Sequence, residues 1–361
     1  MQPRDLSAHT PYVPGRGVEE VARDLGMDPE SLTKLSSNEN PHGPSPAAVD
    51  VLHEYASRVH VYPKASHTDL TDRLATEWDL TPGQVWVSAG ADGSLDYLSR
   101  AVLEPGDRVL VPDPGFSYYG MTARYHHGTV ASYPLSKADD FAQTADRVID
   151  AYDGERIVYV TTPHNPTGSE MPHEELIALL DRVDDHTLVV ADEAYGEYST
   201  RESAATLLNA FDNLAVTRTF SKAYGLAGLR IGYALVPSEW ADVYARVNTP
   251  FAANELACRA ATAALTDDGH LEKTVETARW ARDYLQERLD AHTWESAGNF
   301  VLCDVGDASA VADASQRAGV IVRDCSSFGL PACIRVSTGT REGTERAVEV
   351  LNRVTREVAE A

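Results

Sequence analysis

The tightest constraint on how this chain folds is an alternation that fills most of residues 84–252. Short runs rich in β-branched residues recur there, separated by segments with apolar residues at helical spacing. The strand candidates are Gln84–Ser88, Arg108–Val111, Thr129–Ser132, Arg156–Thr161, Thr187–Ala191, Leu214–Phe220 and Arg230–Val236. Between several of them lie amphipathic segments such as Gly93–Leu103 and His173–Val183, apolar at i, i+3 and i+4. The alternation predicts βαβ units building a mostly parallel sheet with helices on both faces. After about residue 253 the texture changes. Two long helical patterns, 253–267 and 270–290, lead to short strands near 300–304, 319–323 and 333–337 and to a closing helix from Arg341. That is an α+β pattern, and it predicts a second, smaller lobe. The Pro/Gly-rich stretch Pro41–Pro46 reads as a connection between lobes at the other end.

At 361 residues, 43% of them apolar, the chain has enough material for two lobes with a sizeable core. Its 31 basic residues face 55 acidic ones, a net charge of −24. A balance this acidic argues against nucleic acid or anionic membranes as partners, since both require a basic face. It fits life in concentrated salt, where the Debye length falls to about 3 Å and self-repulsion is screened. It equally fits an acidic cytosolic enzyme from a genome that favours Arg over Lys. Only five of the basic residues are lysines: Lys34, Lys64, Lys137, Lys222 and Lys273.

The opening MQPRDLSAHTPYVPG holds no apolar core of signal-peptide length, and no apolar run approaches the roughly 18 residues of a membrane span. A cytoplasmic protein is the expectation. The four cysteines, Cys258, Cys303, Cys325 and Cys333, form no C-x-x-C pair and have no His at ligand spacing, which predicts reduced thiols and no metal site. His126-His127 reads as a surface turn.

In open α/β sheets ligands bind beyond the carboxyl ends of the strands, which singles out four segments. Ala89-Gly90-Ala91-Asp92-Gly93 follows the first strand run and opens a helix whose free N–H groups suit a phosphate. It matches neither a dinucleotide fingerprint nor a P-loop. Pro163-His164-Asn165-Pro166-Thr167-Gly168 is, on its own, a turn. Asp192-Glu193-Ala194-Tyr195 puts a carboxylate at the end of a buried strand, where it needs a cation or several donors. Ser221-Lys222 follows the strand run Leu214–Phe220, with Arg230 eight residues beyond the lysine. A Lys there is either a solvated loop residue or a desolvated amine suited to Schiff-base chemistry. Taken together, an amine, a carboxylate for a pyridinium nitrogen, Tyr and Asn donors for a phenolate, and a phosphate cradle describe pyridoxal 5'-phosphate.

At this point the sequence resembles the fold-type I pyridoxal-phosphate aminotransferases, within them the histidinol-phosphate branch. The resemblance runs through Ser37-Asn38-Glu39-Asn40-Pro41, Val61-Tyr62-Pro63, Gly90-Ala91-Asp92 and Asn165-Pro166-Thr167-Gly168. It continues through Asp192-Glu193-Ala194-Tyr195, Ser221-Lys222 to Leu229-Arg230, and Arg335 to Glu342. It implies a seven-stranded, mostly parallel large domain over 41–252, a smaller α+β domain over 253–361, and an arm, 1–40, that joins the smaller domain. It implies that Lys222 forms the internal aldimine and shuttles the substrate proton, that Asp192 pairs with the pyridinium nitrogen, and that Asn165 and Tyr195 hold the ring's O3'. Ser221, Arg230 and the amides of Ala91 and Asp92 take the phosphate. Phe116 stands where the family has a stacking Tyr; its ring keeps the stacking face and lacks only the hydroxyl. Tyr118 and Tyr119 are expected to pack on a helix face.

By the same resemblance Tyr62 reaches the cofactor of a neighbouring subunit, implying a homodimer with shared sites. Arg335 is implied as the substrate arginine, and Arg323, Tyr12 and Asn40 as further substrate contacts. For Arg323 and Tyr12 the competing readings are an ion pair to Asp324 and a packed N-terminal arm. The implied activity is transfer of the amino group between L-histidinol phosphate and 2-oxoglutarate, giving imidazole-acetol phosphate and glutamate in histidine biosynthesis. Rival expectations are a threonine-phosphate decarboxylase, an aromatic amino-acid aminotransferase and a non-enzymatic cofactor-binding scaffold. The Pro11–Val21 stretch and the Arg335–Glu342 segment favour the transaminase.

Overall fold

A computed structural model describes residues 1, 5–7, 9, 11, 12, 15 and 17–360. Val13, Pro14 and Arg16 of the Pro11–Val21 stretch lie outside the described residues. Among the described residues twelve strands form two sheets. They are β1 (Thr33–Leu35), β2 (Val85–Ser88), β3 (Arg108–Asp113), β4 (Thr129–Pro134), β5 (Ile157–Thr161) and β6 (Leu188–Asp192). The rest are β7 (Leu214–Thr219), β8 (Gly232–Leu235), β9 (His292–Thr293), β10 (Phe300–Asp304), β11 (Val320–Asp324) and β12 (Cys333–Ser337).

The larger sheet has the order β2-β8-β7-β6-β5-β3-β4. All seven expected strands are present, and β8 alone runs against its neighbours. Its central strands β5, β6 and β7 are buried along their whole length. Leu, Val and Ile side chains leave both faces, so helices must cover both. One core cluster joins Val158, Val189 and Val216 to Leu70, Leu74, Leu176 and Leu179. The other face gathers Tyr159, Val190 and Ala215 against Leu95, Leu98 and Tyr119. Each such buried side chain contributes roughly 1.5–3 kcal/mol of transfer free energy.

The smaller sheet has the order β1-β11-β12-β10-β9. Its edge strand β1 comes from the N-terminal segment and pairs in parallel with β11, Thr33 opposite Val320. The helices Asp268–Arg288, Ala308–Arg317 and Arg341–Ala359 cover one face, with Leu285, Val311 and Leu351 packed on Val301, Val320 and Val336. Its other face joins the main core through Leu302, Cys325 and Cys333. The helix Glu255–Ala264 packs its buried alanines Ala257, Ala260, Ala261 and Ala264 into that same main core. All four cysteines are free and buried. Among the described residues no helix is long and apolar enough to cross a membrane.

Two details place the future site. The helix Gly90–Val102 starts three residues earlier than its apolar periodicity suggests, because Gly90 adopts φ +80° and turns the chain directly from β2. Gly232, at the start of β8, lies under that helix start: a Cβ there would stand 2.6 Å from the Ala91 amide nitrogen. The segment after β5 is the turn that its composition suggests, with cis peptide bonds at Thr162-Pro163 and Asn165-Pro166. His164 is fully buried beneath it, with Nδ1 2.8 Å from the Thr167 hydroxyl.

Burial holds the His164 imidazole neutral and pushes its pKa down to about 3. In the unfolded chain the same ring protonates near the ordinary value of about 6.5. Between these values the unfolded state binds the extra proton, so stability falls as pH drops below about 6.5. From pH 7 to pH 5 this one group removes about 2 kcal/mol. His164→Asn should lose that much less over the same interval, measured by denaturant unfolding at fixed salt; equal losses would show that His164 does not titrate in this way.

Candidate active site

The carboxyl ends of β5, β6 and β7 open into a cavity of about 570 Å³ that is also lined from β11, β12 and the segment after β1. Of the site residues expected from the sequence, Tyr12, Ala91, Asp92, Phe116, Asn165, Asp192, Tyr195, Ser221, Lys222, Arg230, Arg323 and Arg335 line it. Tyr62 and Asn40 do not.

Asp192 ends β6 with a fully buried carboxylate. Its Oδ2 accepts from the Tyr119 hydroxyl at 2.6 Å and its Oδ1 from the Ala194 amide at 3.0 Å. Burial raises its pKa, and these neutral donors offset that only in part. A carboxylate so placed, with neutral donors and a cavity beside it, suits a protonated ring nitrogen. Tyr119 therefore does more than pack on a helix face. Its hydroxyl also meets Thr161 Oγ1 at 2.8 Å, and its ring stacks on Tyr159 at 4.5 Å. Burial and the neighbouring Asp192 keep this phenol protonated, as a donor. Tyr118 packs beside Phe116 with ring centroids 6.1 Å apart, and burial pushes its pKa up to about 12.

Lys222 lies just beyond β7, its ammonium 3.3 Å from the Ser37 carbonyl and 5.5 Å from the centre of the Tyr195 ring. The Tyr195 hydroxyl accepts from Asn38 Nδ2 at 2.9 Å. Asn38 stands inside Ser37-Asn38-Glu39-Asn40-Pro41, and the resemblance implies no role for it. It adopts φ +55°, a left-handed conformation that asparagine tolerates. Its Oδ1 accepts from the Ser337 hydroxyl at 2.8 Å, and its carbonyl accepts from Asn299 Nδ2 at 2.9 Å. The available signal was conformational: a short polar residue between a strand and a Pro-rich turn.

At the helix start Gly90–Val102, Arg230 donates to Ser221 Oγ at 3.3 Å and to Asp92 Oδ2 at 3.0 Å. The Ala91 and Asp92 amides belong to the unsatisfied first turn of that helix, where anions are favoured. Two guanidinium donors beside a helix amino end suit an anion such as a phosphate, and form its candidate cradle. Gly90 completes it, since a Cβ there would stand 3.1 Å from the Arg230 guanidinium carbon. Phe116 presents its ring to the same space and meets the edge of Tyr12 at 6.0 Å.

Across the cavity, Arg335 on β12 is 5% exposed. Its Nη2 donates to the Ser36 carbonyl at 2.7 Å and its Nη1 to Asn165 Oδ1. Its buried Nε has no hydrogen-bond partner among the described residues. Burial lowers its pKa from the usual guanidinium value, yet it remains a cation at any physiological pH. Arg323 on β11 donates to Ser327 Oγ at 3.1 Å and lies over the Phe328 ring at 5.6 Å. Asp324 accepts instead from the hydroxyls of Ser309 and Ser326. Asn40 is held elsewhere: Nδ2 donates to the Ala223 carbonyl at 2.8 Å and to Thr274 Oγ1 at 3.1 Å. Tyr62 is 79% exposed, its ring 4.9 Å from that of Phe251 and near exposed Val59 and Val61.

An amine, a buried carboxylate, a phenol and a phosphate cradle thus converge on one cavity with a guanidinium on its far side. The donor set fits pyridoxal phosphate. The family model of aminotransferase class I and II matches residues 30–351. A histidinol-phosphate aminotransferase of Haloferax volcanii is 71% identical over the full length of both chains. That of Halorubrum lacusprofundi is 68% identical over 98% of this chain and 97% of its own. The crystal structure of histidinol-phosphate aminotransferase from Sinorhizobium meliloti, in complex with pyridoxal-5'-phosphate, superposes with a TM-score of 0.89 at 28% identity, covering 98% of both chains. This chain belongs to the class I and II aminotransferases, and within them to the histidinol-phosphate aminotransferases.

Proposed function

We propose that the protein interconverts L-histidinol phosphate and 2-oxoglutarate with imidazole-acetol phosphate and L-glutamate, using pyridoxal phosphate. One observation carries this reading: Asp192 ends β6, Lys222 lies just beyond the neighbouring β7, and both face one cavity opposite the buried guanidinium of Arg335. When bound, pyridoxal phosphate supplies the electron sink into which the substrate's Cα–H bond can be broken. Asp192 keeps a ring nitrogen protonated, and Tyr119 and the Ala194 amide orient its carboxylate. Tyr195 and Asn165 supply hydrogen bonds to the ring oxygen. Ser221, Arg230 and the helix amides of Ala91 and Asp92 bind the phosphate. The Lys222 amine takes the proton from the substrate's α-carbon and returns it on the other side of the exchange. Arg335 offers a fork of donors that accepts a phosphate monoester in one half-reaction and a carboxylate in the other. Arg323 and Tyr12 border the same space and suit the phosphate end of the substrate.

The homodimer belongs to the proposal as well. Tyr62 is turned to solvent beside Val59, Val61 and Phe251, an apolar surface that a second copy would cover. In that arrangement its hydroxyl serves the partner's phosphate cradle. The division into a large domain, 41–252, a smaller domain, 253–361, and an N-terminal arm, 1–40, is retained, with β1 as the arm's link to the smaller sheet. The place of work is a cytoplasm rich in salt, in line with the −24 charge.

The deciding assay offers histidinol phosphate with 2-oxoglutarate, and separately threonine phosphate and phenylalanine. Glutamate should form from the first; carbon dioxide released from threonine phosphate, with no glutamate from the first, would sink the reading. Lys222→Ala should abolish the yellow colour of the purified protein and lower turnover by roughly 10³-fold or more. Arg335→Lys should raise the KM for both histidinol phosphate and glutamate about tenfold, the loss of one charge-assisted hydrogen bond. A rise for only one substrate would break the shared-site assignment. Mixing Lys222→Ala with Tyr62→Phe subunits should restore one site per dimer with both tyrosine and lysine intact; additive activities of the two unmixed variants would deny shared sites.

A further inference from the structure

A second group of charges lies beneath the segment that carries Asp192 and Tyr195, outside the cavity. Arg218 sits on β7, four residues before Lys222. Its Nη1 donates to Glu193 Oε2 at 2.5 Å and its Nη2 to Glu197 Oε1 at 2.8 Å. The three side chains are 7%, 5% and 6% exposed. Glu193 also accepts from the Ser203 hydroxyl and the Ala204 amide, each at 2.6 Å. The guanidinium lies over the Trp78 ring at 4.8 Å and flat against Gly196, where a Cβ would come within 2.8 Å of Nη1.

In Asp192-Glu193-Ala194-Tyr195-Gly196-Glu197 three residues, Asp192, Ala194 and Tyr195, line the cavity, and two carboxylates grip one arginine. The cluster buries two acidic side chains against one guanidinium, and among the described residues Glu197 Oε2 and Arg218 Nε make no hydrogen bond. Such burial is costly, and apolar packing would hold a loop at less expense. A planar fork adds direction: each arm fixes one carboxylate, and the two together fix the backbone between them.

We propose that Arg218 is a positioning residue of the transamination, setting Asp192 and Tyr195 relative to Lys222 through Glu193 and Glu197. The inference rests on the aminotransferase reading above. It ties the strand end that delivers the amine to the loop that delivers the carboxylate and the phenol. Misplacement by about 1 Å in such a constellation costs on the order of 10²-fold in rate.

The test uses the full-length holoenzyme, Arg218→Lys and Glu197→Gln, all in the salt that keeps the parent folded. Three quantities are read for cofactor-loaded protein: kcat, the KM for histidinol phosphate, and the visible absorption band of the bound pyridoxal phosphate. Both variants should lower kcat roughly 10–100-fold and alter the visible band, with KM within about threefold of the parent because Arg335 is untouched. Parental kcat with an unchanged band in the variants would overturn the proposal and leave Arg218 a staple of the fold. Should Arg218→Lys not fold, Glu197→Gln decides on the same criteria, since it keeps the arginine and removes only one charge. If the parent itself moves no amino group from histidinol phosphate to 2-oxoglutarate, the activity reading fails, while the variants' absorption bands still judge the positioning.

Discussion

A carboxylate at the end of a buried strand organises this molecule. Asp192 is desolvated by the central sheet, and its direct partners are a phenol and a backbone amide. A group in that condition is stable as an anion only beside a positive charge, and burial accordingly pushes its pKa up. Much of the surrounding architecture follows from that one need. Tyr119 must be buried to reach it, so its helix packs tightly on β5 through Tyr159. The loop after β6 must turn at once to present Tyr195, and Gly196 permits that turn with an arginine pressed against it.

The large sheet was legible because its central strands β5 and β6 are mostly apolar and buried and are followed by abrupt polar signals. Strand ends at Ser88, Thr161, Asp192 and Thr219 coincide with a change from desolvated to hydrogen-bonded side chains. The lysine signal was legible for a compositional reason. In a chain with five lysines, one that follows a buried strand stands out. Tyr119 was harder to read, since a tyrosine at helical spacing satisfies a packing pattern and a hydrogen-bond pattern equally well. Asn40 belongs to a motif that borders the cavity, while its amide donates to the Ala223 carbonyl and to Thr274. Strand β9, two residues long, and β1, drawn in from the arm, lacked the length that gives periodicity any force.

Charge divides into two regimes. Pairs such as Lys64–Asp69 and Arg353–Glu357 sit in water and weaken as salt rises. The Arg218 cluster and Arg335 are buried from bulk solvent, so dissolved salt screens them far less. A halophilic surface can therefore accumulate acid without disturbing the guanidinium groups on which the cavity depends.

Asn38 joins partners that are far apart along the chain. Its hydrogen bond to Tyr195 spans 157 residues, and its bond with Ser337 spans 299. Contacts of such separation form late, after the loops between them have closed. The asparagine that donates to the phenol is therefore held from the smaller sheet, through Ser337 at the end of β12. A nascent chain released short of β12 would possess the lysine, the carboxylate and the phosphate cradle, yet not the asparagine's anchor.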